Sequence, residues 1–109
     1  MKILNLYDEF GRGMGFPSMK EFFQSEKYEN QDKIVRYLRT GEPCMVQTML
    51  PRDVFTGEPL GIEKYFINDG EYIWNSDLAY YVEKYNLKLS DEFTQHVLTK
   101  LKNNKHFAN

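Results

Sequence analysis

The sequence predicts a small α+β domain in which about three antiparallel strands form a meander that packs against four or five helices. Apolar residues recur at helical spacing before residue 40 and after residue 77, whereas the middle of the chain is rich in β-branched and aromatic residues. An Asp-Gly pair at 69–70 separates two aromatic runs, which is typical of a β-hairpin. The expected order is therefore helices, strands and helices, with residues 1–109 forming one domain.

Three helices are expected before the first strand. Residues 2–10 have apolar side chains at roughly helical spacing, and the glycine-rich run 11–15 ends that helix because glycine is costly in a helix interior. Ser18 is expected to cap a short second helix. A third helix covers 30–40 and stops at Gly41. The inward-facing residues of the second and third helices are Met19, Phe22, Phe23, Ile34, Val35 and Leu38.

The middle of the chain is expected to form the sheet. Residues 44–50 are predicted to be a strand, since they contain two β-branched residues and no helix cap. Turns follow at Pro51 and at 56–59. Residues 61–68 and 71–74 then form the two arms of the hairpin, because the intervening Asp-Gly pair suits a tight turn whose two central positions both need positive φ.

Two helices are expected after the hairpin. Asn75 or Ser76 is predicted to cap a helix over 77–86, which has the most regular apolar stripe in the chain. Ser90 is predicted to cap the last helix, and lysines gather near its C-terminal end, as the helix dipole favours. The stripes of the two helices consist of Leu78, Tyr81, Val82 and Tyr85, and of Phe93, Val97 and Leu101.

Composition and charge argue against several functional classes. The formal net charge is −2, whereas a nucleic-acid binder normally has a basic face, so no direct nucleic-acid partner is expected. The single cysteine, Cys44, cannot form an internal disulfide. No run approaches the roughly 20 apolar residues that a membrane span requires, and the N-terminus lacks a secretory apolar stretch. The expected location is the cytoplasm, without membrane association.

No catalytic residue, cofactor or metal site is predicted. The run 11–15 matches neither the dinucleotide pattern nor the P-loop pattern, so it reads as a connection between helices. His96 and His106 lack the companion ligands and spacing of a metal site. Nothing in the sequence marks the Cys44 thiol as activated. The carboxylate pairs are too unspecific in placement to indicate acid–base chemistry.

The acidic middle of the chain is the clearest charge feature. Residues 53–77 contain six acids and one base, Lys64, and therefore carry −5, whereas the rest of the chain carries +3. These acids are either solvated turn residues or an acidic surface that steers a basic partner. Tyr80 lies off the stripe of its helix, next to Tyr81, so one of the two is expected to be partly exposed. The predicted partner-binding residues are Asp53, Glu58, Glu63, Asp69, Glu71, Asp77 and Tyr80.

One segment resembles a known group of proteins. Residues 69–86, DGEYIWNSDLAYYVEKYN, followed by LSDEFTQH at 89–96, are similar to a pattern in small bacterial immunity proteins. These are cytoplasmic antidotes of polymorphic toxin and contact-dependent growth inhibition systems. The resemblance implies that the chain binds a cognate toxin domain and blocks its active site or substrate access. Many such toxins are basic nucleases, which an acidic surface would suit.

Three hypotheses follow in order of preference. The first is an immunity protein, monomeric alone and heterodimeric with its toxin. The second is a non-enzymatic adaptor or regulatory subunit of a larger bacterial complex, which predicts a large exposed apolar patch. The third is a small enzyme or ligand-binding domain, which predicts a deep pocket on the order of several hundred Å³ with convergent polar groups.

Overall fold

The computed structural model describes residues 1–4, 6–47 and 49–103. Two residues of the predicted C-terminal features, Lys105 and His106, lie outside the described residues. The strands are β1 (Lys2–Ile3), β2 (Glu42–Val46), β3 (Tyr65–Asn68) and β4 (Tyr72–Asn75), and the α-helices are α1 (Gln31–Leu38), α2 (Leu78–Tyr85) and α3 (Asp91–Asn103). Two short 3₁₀ helices cover Asp8–Phe10 and Met19–Phe22.

The four strands form one mixed sheet in the order β1-β4-β3-β2. The hairpin of β3 and β4 is antiparallel and pairs Ile67 with Trp74, so the predicted hairpin is confirmed. The predicted turn geometry is wrong, because Gly70 has a φ of 94° but Asp69 does not have a positive φ. The strand β2 runs antiparallel to β3, but β1 runs parallel to β4. The predicted fold is therefore wrong in three respects: within the described chain there are four strands rather than three, one pair is parallel, and three α-helices are present.

The predicted order was also wrong, because the chain begins with a strand. The N–H of Lys2 donates to the Glu71 carbonyl and that of Leu4 to the Ile73 carbonyl, each at 2.9 Å. These bonds pair backbone carbonyls at the edge of β4 that would stay unpaired if residues 2–10 formed a helix. Only the 3₁₀ turn Asp8–Phe10 remains of that predicted helix.

The later helices follow the predictions more closely. The Ser18 hydroxyl accepts from the Lys20 N–H, and the Glu21 carboxylate accepts from the Ser18 N–H, so the predicted cap is confirmed, although the helix it begins is 3₁₀. The helices α1 and α2 lie within the predicted ranges, and Ser90 caps α3 by accepting from the Phe93 N–H at 3.1 Å. The cap predicted for α2 is wrong, since Asp77 occupies that position and its side chain makes no capping bond.

The core lies between the helices and one face of the sheet. Ile67, Tyr72 and Trp74 alternate along β3 and β4 and are buried. Trp74 is fully buried, and its indole N–H donates to the Leu38 carbonyl at 2.8 Å. The Phe93 ring packs edge-on to Trp74 with centroids 6.1 Å apart. These rings join the hairpin to α1 and α3. No helix of the described residues is long and apolar enough to span a bilayer.

Gly41, which joins α1 to β2, lies too close to β3 to accommodate a side chain. A Cβ at this position would overlap Ile67 Cγ2 and would lie 2.8 Å from the Asn68 carbonyl oxygen. We expect Gly41→Ala to lower the free energy of unfolding by about 1–3 kcal/mol, measured by urea denaturation. Gly11→Ala is the control, since its Cβ would meet no atom closer than 3.5 Å. Equal midpoints for the two variants would contradict this close approach.

Candidate protein-binding surface

A group of exposed apolar residues lies in the last part of β2, the strand at one free edge of the sheet, and in the segment that follows it. Six of the eleven exposed large apolar residues in the described chain fall within residues 45–62. Four of them are 72–73 % exposed. Isolated exposed apolar residues are ordinary, whereas neighbouring ones indicate an interaction site. Three of the six, Met49, Leu50 and Val54, line the same groove. We call these six residues the edge surface: Met45, Val46, Met49, Leu50, Val54 and Ile62.

The strand β2 is poorly suited to accept another strand at its free edge. Pro43 has no N–H to donate. Met45 has a φ of 49°, and the pairing with β3 shifts between Cys44 and Val46, so a bulge interrupts the regular spacing of hydrogen-bonding groups. Such features protect sheet edges from strand addition. A partner would therefore contact the side chains of the edge surface rather than extend the sheet.

Asp53 anchors the loop that carries part of the edge surface. Its carboxylate is buried and accepts hydrogen bonds from the hydroxyls of Tyr80 (2.7 Å) and Tyr85 (2.5 Å). The same carboxylate accepts from the backbone N–H groups of Phe55 (2.7 Å) and Thr56 (3.1 Å). Burial alone would raise the pKa of Asp53, but these hydrogen bonds lower it below its ordinary value. The loop is thus fixed against α2.

A third tyrosine of α2, Tyr81, holds the same loop. The Tyr81 hydroxyl accepts from the Val54 N–H at 3.0 Å and donates to the Arg52 carbonyl at 3.2 Å. Burial is the main cause that raises the pKa of the Tyr81 hydroxyl, so the group remains a neutral donor at ordinary pH. These two hydrogen bonds to α2 therefore fix the backbone that carries the exposed Val54 side chain.

A groove of about 400 Å³ runs beside the edge surface. The groove is lined by Met49, Leu50 and Val54 from the edge surface, by Phe10 from the first 3₁₀ helix, and by Asp77. We call it the Asp77 groove. Asp77 is 2 % exposed, and its Oδ1 accepts no hydrogen bond from any described residue. Burial raises the pKa of Asp77, while the charge of Lys64 acts in the opposite direction.

A separate polar cluster joins the hairpin turn to α3. Asp69 Oδ2 lies 2.6 Å from both the Tyr37 hydroxyl and His96 Nε2. The other ring nitrogen of His96 lies 3.5 Å from the Glu71 carboxylate, which also pairs with Lys100 at 3.2 Å. A histidine that acts as a general base needs one nitrogen directed at its substrate, whereas both nitrogens here face carboxylates. The geometry suits a structural role, in which this cluster fixes the hairpin turn to α1 and α3. We call the contacts of Asp69 with Tyr37 and His96 the clamp.

The clamp predicts a distinct acid dependence of stability. Burial alone would raise the pKa of Asp69, but hydrogen bonds from Tyr37, the Tyr72 N–H, His96 and the Glu71 N–H lower it to about 2. Because this is below the ordinary value of 3.8, the stability from Asp69 is complete above that value and is lost as pH falls toward 2. Asp69→Asn should flatten the pH dependence of the urea midpoint in that window.

Asp91→Asn is the matched control for this experiment, since Asp91 is an exposed acid in the first turn of α3. We expect it to keep the pH profile of the unmodified chain. A profile for Asp69→Asn that superimposes on that of Asp91→Asn would show that the clamp contributes nothing to acid stability.

The seven predicted partner-binding residues are divided by the structure into three groups. Glu58 and Glu63 are exposed in the segment of the edge surface, before β3. Glu71 is exposed and Asp69 is partly buried at the opposite end of β3. The remaining three lie inside the fold or at its margin: Asp53 and Asp77 are buried, and the partly exposed Tyr80 donates to Asp53.

The sequence prediction missed the apolar part of this surface. Residues 44–50 were predicted to be a strand, and the observed β2 ends at Val46, so Met49 and Leu50 leave the sheet and become exposed. Pro51 was the available signal, because a proline directly after an apolar run limits how far a strand continues.

Comparisons with known proteins identify no relative: no family model, no curated protein and no solved structure matches the chain. The resemblance of residues 69–96 to immunity proteins therefore stays a prediction. The function has to be inferred from the geometry of the chain itself.

Proposed function

We propose that the chain is a non-enzymatic, cytoplasmic immunity protein that binds a cognate toxin domain and blocks access to its active site. The observation that carries this proposal is the edge surface, whose apolar side chains are exposed beside the free strand β2. Protein interfaces combine an apolar centre with a polar rim. Here Glu58 and Glu63 supply acidic groups in the same segment, which suits a toxin domain with basic residues around its active site.

The construction of the loop favours tight binding. Six hydrogen bonds hold residues 52–56. The Asp53 carboxylate accepts four of them, two from backbone N–H groups of the loop and two from tyrosine hydroxyls of α2. The Tyr81 hydroxyl makes the other two, with the Val54 N–H and the Arg52 carbonyl. A surface that is ordered before binding loses less conformational entropy in the complex. Met45 and Met49 add flexible side chains that adapt to the shape of a partner. Association with one toxin domain per chain is the expected stoichiometry.

A second candidate function is an adaptor or regulatory subunit of a larger bacterial complex. The observation that favours it is the same exposed apolar patch, which the adaptor hypothesis predicts from the outset. An adaptor would use the edge surface to bind a partner that has no toxic activity. The two functions therefore share a surface and differ in what the partner does.

The experiment that tests the proposal is growth rescue. The immunity proposal predicts that the gene directly upstream encodes the toxin, with the toxin domain at its C-terminal end. This domain is induced in a test strain, with and without this chain, and the domain and the chain are then co-purified. Restored growth together with a one-to-one complex is the expected result. A stable complex with a non-toxic domain would favour the adaptor function instead. Toxicity that persists in the absence of a complex would contradict the immunity proposal.

A further inference from the structure

The Asp77 groove contains a buried carboxylate oxygen that the fold does not use. Asp77 precedes α2, yet its side chain makes no capping bond to the helix. Its Oδ1 is covered and has no hydrogen-bond partner in the described chain. Native proteins pair nearly all their buried polar atoms, so each exception requires an explanation. A donor supplied from outside the chain is one such explanation, because Asp77 lines an open groove. Since Oδ1 is covered in the free chain, the carboxylate must turn toward the groove to meet that donor.

The walls of the groove suit a long side chain with a charged end. Met49, Leu50 and Phe10 supply apolar surface along it, against which the aliphatic stem of an arginine packs well. A guanidinium is weakly hydrated, stacks on aromatic rings and forms directed hydrogen bonds with a carboxylate. A volume of about 400 Å³ is near the lower end of ligand sites, which are roughly 300–1,000 Å³, and suits one side chain rather than a folded segment.

Neither of the two cations that line the groove forms an ion pair with Asp77 among the described residues. Arg52 is engaged elsewhere, since its guanidinium donates to the Gly57 carbonyl at 3.0 Å. Glu9 accepts from the Met19 N–H at 2.7 Å and from the Ser18 hydroxyl at 2.5 Å. Lys64 lines the groove and forms no ion pair with Asp77 among the residues that the structure describes, although its charge, like the backbone N–H of Asp77 itself, acts to lower the pKa of Asp77, which burial raises.

From this geometry we infer that the Asp77 groove receives an arginine side chain of the partner protein, with Asp77 as its acceptor. This inference rests on the proposed function and deepens it, because it names a chemical group that the toxin domain must present beside the surface it buries. Three residues of the edge surface also line the groove: Met49, Leu50 and Val54. A partner that covers the edge surface would therefore also reach the groove.

The first test needs no partner and compares Asp77→Asn with Asp91→Asn in the chain alone. Both variants remove one acid next to a helix start, but only Asp77 is buried. A binding carboxylate without an internal partner costs the free chain stability. We therefore expect Asp77→Asn to raise the urea midpoint, while Asp91→Asn leaves it unchanged. A lower midpoint for Asp77→Asn would show that the fold itself satisfies this carboxylate and would overturn the inference.

The second test uses N-acetyl-arginine amide as the probe, with its neutral citrulline analogue as the control. Amide shifts of the ¹⁵N-labelled chain are followed by NMR during titration of each compound. Saturable shifts at Met49, Leu50, Val54 and Asp77 with the arginine probe, weakened about tenfold or more by Asp77→Asn, are expected. Equal shifts with both compounds, no saturable shift, or equal binding by Asp77→Asn would each contradict an arginine site.

The two proposals fail in different ways. Arginine binding at the groove together with failed growth rescue would leave the site in place and reject the immunity function. Growth rescue with no saturable arginine shifts and unchanged toxin binding by Asp77→Asn would leave the immunity function in place and reject the site.

Discussion

Replacing Asp53 by alanine is expected to lower the free energy of unfolding by about 3 kcal/mol, measured by urea denaturation. The substitution removes four hydrogen bonds, two from backbone N–H groups and two from the hydroxyls of Tyr80 and Tyr85. The tyrosines cannot easily turn away, because the Tyr85 ring is stacked on Phe23 with centroids 4.8 Å apart. Their hydroxyls therefore lose the carboxylate that accepts from them, which adds to the loss.

The matched control for Asp53 is Glu58→Ala, which removes an exposed acid from the same loop. Surface substitutions of this kind change stability by about 0.5 kcal/mol or less. Asp53→Asn should fall between the two, since the amide oxygen can take the place of Oδ1 and accept from both backbone N–H groups, whereas the amide NH2 in the place of Oδ2 cannot accept from the two tyrosine hydroxyls. If Asp53→Ala were as stable as Glu58→Ala, Asp53 would not anchor the loop, and the pre-organised surface would lose its basis.

The double variant Met49→Glu with Leu50→Glu is expected to weaken binding to the toxin domain on the order of 100-fold. Both residues are 72 % exposed in the free chain, so the stability of the chain alone should remain unchanged. In the complex two carboxylates would be buried in an apolar contact without partners, which is costly. Titration calorimetry with the purified toxin domain measures the dissociation constant directly.

Ile3→Glu is the control for this double variant. Ile3 is also apolar and 54 % exposed, but it lies on β1 at the opposite edge of the sheet. We expect its dissociation constant to equal that of the unmodified chain. A selective loss with Ile3→Glu, and none with the double variant, would place the binding surface at β1 instead.

Local patterns were sufficient for the parts of the fold that depend on neighbouring residues. The Asp-Gly pair specified the hairpin turn, and apolar spacing specified α1, α2 and α3, because these elements bury one face and end at local signals. The strand β1 was missed because it depends on a pairing of Lys2 with Tyr72. Two residues 70 positions apart leave no periodic signal in either segment.

The candidate site was harder to predict, because burial of a charge depends on distant partners. Asp53, Asp69 and Asp77 belong to one acidic stretch, yet each has a different environment. Asp53 is enclosed by tyrosines of α2, Asp69 is clamped by α1 and α3, and Asp77 lines a groove. A count of charges along the chain cannot separate these cases. The exposure of Met49 and Leu50 likewise depends on where β2 ends.

Amide hydrogen exchange of the chain, alone and in complex with the toxin domain, tests the central claim most directly. The edge surface predicts that slower exchange in the complex is concentrated in residues 42–64, with α3 exchanging as it does in the free chain. Slower exchange that is confined to α3 and the hairpin turn, with residues 42–64 unchanged, would contradict the edge surface as the site of binding.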